Sequence, residues 1–236
     1  MKNADHDPKK HAGLKKRVIS GLVLAPLWVA VIMTGGWLFI ALVVAAGLLS
    51  LYEFAKLVDG TKHQYLHMAF GTIYLSLCFG SYLFMRFAFD QGAWLALAAM
   101  LAVWASDTGA YFTGKTIGGP KMTPHLSPNK TWAGLGGAMF FCGLTLVIMQ
   151  FAGDFLSAHI NTSLGLDASA LPHLFLAGLI LGVVGQGGDL LISFYKRRAN
   201  IKDTGCLIPG HGGLLDRIDS VLLVSPVFLG IALLCL

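Results

Sequence analysis

The chain has 236 residues, of which 56% are hydrophobic and only 12% are charged, with 17 Lys and Arg against 12 Asp and Glu. Soluble domains carry about 25% charged residues, so this composition excludes a disordered chain and argues against an ordinary water-soluble globule. The four scattered cysteines exclude a disulfide framework and a Cys-x-x-Cys metal site. The composition therefore indicates an integral membrane protein.

Seven apolar stretches meet or approach the roughly 20 residues that cross a bilayer as a helix. In chain order they cover about 18–34, 37–57, 68–87, 92–112, 134–153, 171–194 and 214–236. A basic tail, 1–17, precedes the first stretch. Six further stretches and the absence of a convincing small-residue cleavage site favour an uncleaved span over a signal peptide. We predict an all-α, polytopic membrane protein of about seven transmembrane helices.

The distribution of basic residues predicts the orientation. With a cytosolic N-terminus, the inner segments are the tail, the link 57–67 and the loops 113–133 and 195–213. Together with the adjoining helix ends they hold 16 of the 17 Lys and Arg residues, Arg86 being the exception. The positive-inside rule therefore puts the N-terminus and both loops in the cytosol.

Four carboxylates lie near this inner boundary: Asp107 in the fourth stretch, Asp189 in the sixth, and Asp216 and Asp219 at the start of the seventh. A carboxylate at mid-membrane costs about 2.5–3.5 kcal/mol. A helix cap or an ion pair explains any one of them equally well. Four on three helices at one boundary favour a hard cation, above all Mg²⁺ with a phosphate substrate completing its shell.

The segment 195–219 combines glycine with basic residues. Pro209, Gly210, Gly212 and Gly213 interrupt a helix and let backbone N–H groups approach an anion. The N-terminus of the seventh stretch, which follows, also favours phosphate. The side chains that add donors are Lys196, Arg197, Arg198, Lys202, His211 and Arg217. These features predict a metal-dependent polyphosphate site at a membrane surface.

Residues 109–116 fit the Walker A pattern G-x-x-x-x-G-K-T. That motif requires a buried strand before it and a helix after it. Here the residues end an apolar membrane stretch, with Tyr111 and Phe112 where a tight loop is needed. We therefore reject a P-loop.

The spacing of residues from Ser193 to Asp219 matches a long, gapped signature. The matching positions are Ser193, Lys196-Arg197, Lys202-Asp203, Gly205, Ile208-Pro209, His211-Gly212-Gly213, Asp216-Arg217 and Asp219. In this signature, and in segments 106–112 and 127–132, the chain resembles the phosphatidate cytidylyltransferases (CDP-diacylglycerol synthases). It departs from that family at Ala133, where Glu is common, and near 58–68, where about two spans are missing.

The resemblance implies the reaction CTP + phosphatidic acid → CDP-diacylglycerol + pyrophosphate, with Mg²⁺, room for a K⁺ companion, and a helical membrane homodimer. It makes 92–236 the catalytic region and 18–91 an N-terminal group of helices. It implies that Asp189 and Asp216 are the prime metal ligands, that Ser193 lies near the metal, and that Asp219 is a supporting or second-metal ligand.

The remaining roles are hypotheses about phosphate chemistry. Lys202, His211 and Arg217 are expected to stabilise the developing negative charge. Lys196, Arg197 and Lys130 are expected to hold the lipid phosphate or the leaving pyrophosphate. Asp107 is expected to complete the metal site or to orient a basic partner. Further substrate-binding positions are Asp203, Gly212 and Gly213.

Two other functions remain open at this point: a different membrane lipid-phosphate transferase, and an ion-coupled transporter. A transporter predicts carboxylates spread through the membrane depth, whereas these lie at one boundary beside a basic loop. We expect a bacterial inner-membrane protein with its active face in the cytosol, acyl chains entering sideways from the bilayer, and no nucleic-acid partner.

Overall fold

The computed structural model describes residues 8–156, 168–205 and 212–235, with the side chains of the first helix described from Gly21 onward. Within these residues there are seven α-helices: α1 Pro8–Thr34, α2 Gly36–Val58, α3 Gln64–Ala88, α4 Gly92–Thr116, α5 Trp132–Leu156, α6 Leu171–Arg198 and α7 Leu215–Cys235. A 3₁₀ turn, Ala168–Ala170, precedes α6. Helices α2 to α7 are long and apolar enough to span a membrane, and α1 adds the apolar segment Gly21–Thr34. The predicted all-α polytopic fold is confirmed.

The C-terminal ends of two helices extend beyond the predicted apolar stretches. α4 continues to Thr116, and α6 continues to Arg198, so that Lys196 and Arg197 are helical rather than part of a loop. No helix breaker follows the apolar stretch of α6, and basic residues in a last turn interact favourably with the helix dipole. These basic groups are therefore held on a rigid element.

The loop between α4 and α5 contains a short antiparallel hairpin, which the sequence patterns did not predict. Its strands are β1 Lys121–Thr123 and β2 Ser127–Thr131, with Lys121 opposite Thr131. The hydroxyl oxygen of Thr131 accepts the N–H of Gly134 at 3.0 Å, which caps the N-terminus of α5. The cap fixes the position of Lys130, the preceding residue.

Helices α4, α5 and α6 approach one another closely at glycines. A Cβ added to Gly178 of α6 would collide with the backbone of Gly143 in α5. One added to Gly182 would lie 2.6 Å from the Cα of Met139, again backbone. Small residues allow membrane helices to pack this tightly, so the glycine content of these helices reflects close backbone contact.

Arg86, the one basic residue outside the predicted cytosolic segments, forms hydrogen bonds with the end of α1. Its Nε donates to the carbonyl oxygen of Ile32 at 2.8 Å and its Nη2 to that of Met33 at 3.3 Å. These carbonyls lie in the last turn of α1, where unpaired acceptors favour a cation. Arg86 thereby joins α3 to the end of α1.

The N-terminal helices share a hydrophobic core with the helices that carry the signature. Phe54 of α2 and Tyr74 of α3 belong to one buried cluster with Ile192 of α6 and Leu215 of α7. Phe54 also contacts the ring of Tyr195 edge-on, with the ring centroids 4.9 Å apart. Helices α2 and α3 therefore pack against the C-terminal half of α6 and the N-terminal half of α7.

Candidate active site

A polar cavity of about 360 Å³ lies where α4, the hairpin, α6 and α7 meet. It contains side chains from four separate parts of the chain. The predicted site residues that line it are Asp107, Lys130, Asp189, Lys196, Asp203, Asp216, Arg217 and Asp219. The fold thus gathers five carboxylates and three basic groups in one concave surface of a largely apolar bundle.

One wall of the cavity is a connected network of polar groups. Lys130 of the hairpin forms an ion pair with Asp189 of α6, with its Nζ 2.7 Å from Oδ2. The same Nζ donates to Oε1 of Gln186 at 2.7 Å. Nε2 of Gln186 in turn donates to Oδ1 of Asp107 at 3.3 Å. Gln186 therefore links the carboxylate of α4 to the hairpin lysine.

Asp189 and Asp219 face each other from α6 and α7 and are close enough to interact electrostatically. Asp219 is only 8% exposed, and one of its oxygens accepts the N–H of Ser220 at 2.9 Å. Asp189 accepts the hydroxyl of Ser193 at 3.2 Å. Two such carboxylates repel unless a cation or a proton lies between them, so this all-oxygen donor set fits a hard cation.

In the described part of the chain, no three His, Cys, Asp or Glu side chains form a ready-made metal cluster. The three predicted ligands Asp189, Asp216 and Asp219 line one cavity without forming such a cluster. Mg²⁺ characteristically uses only one or two carboxylates and takes its remaining ligands from water and substrate phosphates. The Asp189–Asp219 pair satisfies that requirement without a third acid.

Asp216 has a different environment from the pair. Its Oδ1 accepts Nζ of Lys196 at 2.8 Å, and the Asp216 side chain is only 4% exposed. Its Oδ2 accepts the backbone N–H of Thr204 at 2.7 Å, the Thr204 hydroxyl at 3.0 Å and the N–H of Gly213 at 3.1 Å. With four hydrogen bonds, Asp216 organises the two ends of the glycine-rich loop around the start of α7.

The other predicted site residues differ in location. The guanidinium of Arg197 donates to the backbone carbonyls of Leu126 and Ile201, both at 3.3 Å, which joins the hairpin to the end of α6. Lys202 is exposed. Gly212 has a φ of +88°, a conformation that favours glycine. His211 lies outside the described residues, as do Pro209 and Gly210.

A second, apolar cavity of about 630 Å³ lies between α1, α2, α3, α4 and α7. Its walls include Trp28, Ala46, Phe79 and Trp104. Arg217 lines both this cavity and the polar one. A cationic side chain thus stands at the junction of a carboxylate-rich site and a hydrocarbon-like site.

Sequence reasoning missed three polar residues that shape the site. Gln186 carries the contact between Asp107 and Lys130, and Thr204 bonds Asp216. Glu53 of α2 accepts hydrogen bonds from the start of α7. Glu53 gave a usable signal, since it is the only Glu in the chain and lies within an apolar span. Gln186 and Thr204 gave none, because their importance lies in contacts between distant segments.

The fold and the site together define a polytopic membrane protein with a polar cavity, lined by carboxylates and basic side chains, at one end of its helical bundle. Residues 60–235 match the model of the cytidylyltransferase family. The chain belongs to that family, as the resemblance of residues 193–219 predicted.

Curated relatives agree with this assignment. The phosphatidate cytidylyltransferase of Rickettsia felis is 35% identical over 234 residues, covering 99% of this chain and 99% of the relative. That of Rickettsia typhi is 36% identical, covering 98% of this chain and 97% of the relative. That of Bacillus subtilis is 37% identical over 154 residues, covering 65% of this chain and 53% of the relative. The likeness to the rickettsial proteins thus includes the N-terminal helices.

Proposed function

We propose that this protein transfers the cytidylyl group of CTP to phosphatidic acid, giving CDP-diacylglycerol and pyrophosphate. The observation that carries the proposal is the junction at Arg217, which lines the polar and the apolar cavity. A substrate with a phosphate headgroup and two acyl chains requires such a junction. A site for two water-soluble substrates has no need of the apolar cavity.

The reaction requires little covalent assistance from the protein. An oxygen of the lipid phosphate attacks the α-phosphorus of CTP, a new P–O bond forms, and the bond to the bridging oxygen of the β-phosphate breaks. The lipid phosphate is already anionic near neutral pH, so no strong general base is needed. Positioning and neutralisation of charge supply most of the acceleration.

We assign the divalent cation to Asp189 and Asp219, with Ser193 beside them. Bound Mg²⁺ supplies neutralisation of the triphosphate oxygens and fixes their orientation. Asp107 acts through Gln186, which orients the Lys130 ammonium. In this assignment Asp216 organises the loop rather than binding the first metal, a revision of the sequence-based hypothesis. A K⁺ companion remains part of the proposal.

The basic groups divide between the two substrates. Lys130 and Lys196 project into the polar cavity, where they contact the triphosphate and the leaving pyrophosphate. Arg217 holds the lipid phosphate while the acyl chains occupy the apolar cavity. We further propose that Lys202 and His211 help to stabilise the developing negative charge and that Asp203, Gly212 and Gly213 contribute to substrate binding. Arg197 supports the hairpin.

We further propose that the polar cavity faces the cytosol of a bacterial inner membrane and that the protein is a homodimer. The water-soluble nucleotide then enters from the aqueous side and the lipid from the inner leaflet. In this proposal the catalytic region is 92–236, and the helices in 18–91 pack against it.

The experiment is a reconstitution of purified protein in mixed micelles with phosphatidic acid and radiolabelled CTP. Labelled CDP-diacylglycerol is expected only when both substrates and Mg²⁺ are present. Replacing phosphatidic acid by diacylglycerol or by a polyprenyl phosphate tests other lipid transferases. Solute uptake by proteoliposomes without lipid product would instead support a transporter and would reject the proposal.

A further inference from the structure

Glu53 lies in the middle of the buried contact between α2 and the start of α7. The residue is 6% exposed, although a carboxylate in an apolar span is costly. Its Oε1 accepts the N–H of Leu214 at 2.9 Å, and its Oε2 accepts the N–H of Leu215 at 2.8 Å. Glu53 therefore caps α7 from another helix.

The contact is favourable for two physical reasons. The first N–H groups of a helix have no partner within the helix, so an acceptor for them is needed when the helix end is buried. The helix dipole also favours a negative charge at that end. Glu53 satisfies both requirements where the local residues, Gly213 and Leu214, have no side-chain acceptor.

Glu53 also reaches the loop that carries part of the site. The Thr204 hydroxyl lies 2.9 Å from Oε2 of Glu53 and 3.0 Å from Oδ2 of Asp216, so it bridges the two carboxylates. Asp216 in turn holds Nζ of Lys196 at 2.8 Å. A continuous chain of hydrogen bonds thus runs from α2 through the loop to the cavity.

Two glycines of the signature allow the loop to pack on Glu53. A Cβ on Gly205 would lie 3.0 Å from Oε1, and a Cβ on Gly213 would lie 2.6 Å from Oε2. Any larger residue at Gly213 would displace the carboxylate or the loop. These two glycines of the signature therefore have a partner in a helix outside the matched residues 60–235.

We propose that Glu53 is a positioning residue of the active site. It fixes the first turn of α7 and both ends of the loop, so that Asp216 and Lys196 keep their places at the cavity. The inference deepens the proposed function and rests on it for the catalytic consequence, whereas the ordering of the loop does not depend on which reaction is catalysed.

Glu53→Gln tests the proposal, because the amide keeps the shape but loses the charge and one acceptor. The matched control is Ser50→Ala, one turn away on α2. Ser50 is fully buried, and its hydroxyl has no hydrogen-bond partner within the described residues. Thr204→Val is the second variant. It removes the hydroxyl bridge between Glu53 and Asp216, whereas the backbone N–H of residue 204 still donates to Asp216 and the cap on Leu214 and Leu215 stays intact.

The first readout is hydrogen exchange of the purified protein in detergent without substrates. In Glu53→Gln the amides of Thr204, Gly213, Leu214 and Leu215 are expected to exchange at least about tenfold faster, while α4 and α5 are unchanged. In Thr204→Val only the amides of residue 204 and Gly213, which share Oδ2 of Asp216 as acceptor, are expected to exchange faster. Unchanged exchange in both variants, or acceleration throughout the bundle, would overturn the proposal.

The second readout is CTP-dependent turnover. Glu53→Gln and Thr204→Val are each expected to lower kcat by about tenfold or more and to change KM for phosphatidic acid by less than threefold. The double variant is expected to have a kcat no lower than that of the less active single variant. Additive losses would overturn the shared role. A wild-type protein without cytidylyltransferase activity would reject the proposed function, and the exchange data would still decide the role of Glu53.

Discussion

The ammonium group of Lys130 lies 2.7 Å from Oδ2 of Asp189 and thereby joins the hairpin to α6. The side chains are 14% and 30% exposed, so the pair is shielded on one side and open to the cavity on the other. In the proposed reaction, an arriving triphosphate would compete with Asp189 for this lysine. The divalent cation assigned to Asp189 would then take over the neutralisation of that carboxylate.

Lys130→Met is expected to lower cytidylyltransferase activity by roughly 100-fold, because one preorganised cation is removed from the developing charge. The free energy of unfolding should fall by about 1–3 kcal/mol, less than for a fully buried pair. Both are measured on detergent-purified protein by product formation and by chemical denaturation. Lys121→Met, an exposed lysine of the same hairpin, should alter neither. Wild-type activity in Lys130→Met would contradict the assignment.

Removing the divalent cation should stop the reaction. Excess EDTA is expected to abolish product formation, and Mg²⁺ should restore it. Asp189→Asn and Asp219→Asn should each lower activity at least roughly 100-fold and raise the Mg²⁺ concentration for half-maximal rate, since each removes a ligand. Asp59→Asn, at an exposed position beyond α2, is the control. A variant with unchanged Mg²⁺ dependence would remove that carboxylate from the metal site.

The apolar cavity should select for the lipid tail. Ala46→Trp fills part of this space and is expected to lower kcat/KM about tenfold for long-chain phosphatidic acid. Activity on a dihexanoyl analogue should stay near wild type, because short chains need little of the cavity. Leu48→Trp places the same ring on an exposed part of α2 and should have no effect. Equal losses with both lipids would contradict a chain-binding role.

The membrane helices and the carboxylates of the site could be predicted from the sequence, since a run of apolar residues and a charge within it are local signals. The hairpin around Lys130 could not. Its strands have only three and five residues, and Pro128 lies within the second, which has no apolar side chain other than that proline. The four hydrogen bonds of Asp216 could not be predicted either, because only the fold brings Lys196 and Thr204 to its side chain beside Gly213.

Replacing a glycine at the close contact between α5 and α6 by a larger residue should destabilise the protein. Gly178→Ala forces a methyl group against the backbone of Gly143, and overpacking of this kind costs about 1–3 kcal/mol. Gly80→Ala, where nothing lies within 4 Å of the new methyl, should be neutral or slightly stabilising. Thermal unfolding in one detergent compares the two. Equal Tm values would show that α5 and α6 can separate without cost.

The orientation is testable through the cysteines. Cys78 and Cys142 are buried, whereas Cys235 is exposed. In a Cys206→Ser background, an impermeant maleimide added to intact cells should label Cys235 from the outside. Lys115→Cys in a chain that also lacks Cys206 and Cys235 should react only after the membrane is opened. The reverse labelling pattern would show that the chain has the opposite orientation in the membrane.

Arg217, shared by the polar and apolar cavities, has a consequence for kinetics. A lipid bound by its phosphate at this side chain keeps its tails in hydrocarbon before, during and after the transfer. Neither substrate lipid nor product lipid then has to desorb into water. The rate should follow the mole fraction of phosphatidic acid in the membrane, so diluting it with inert lipid slows turnover while adding buffer does not.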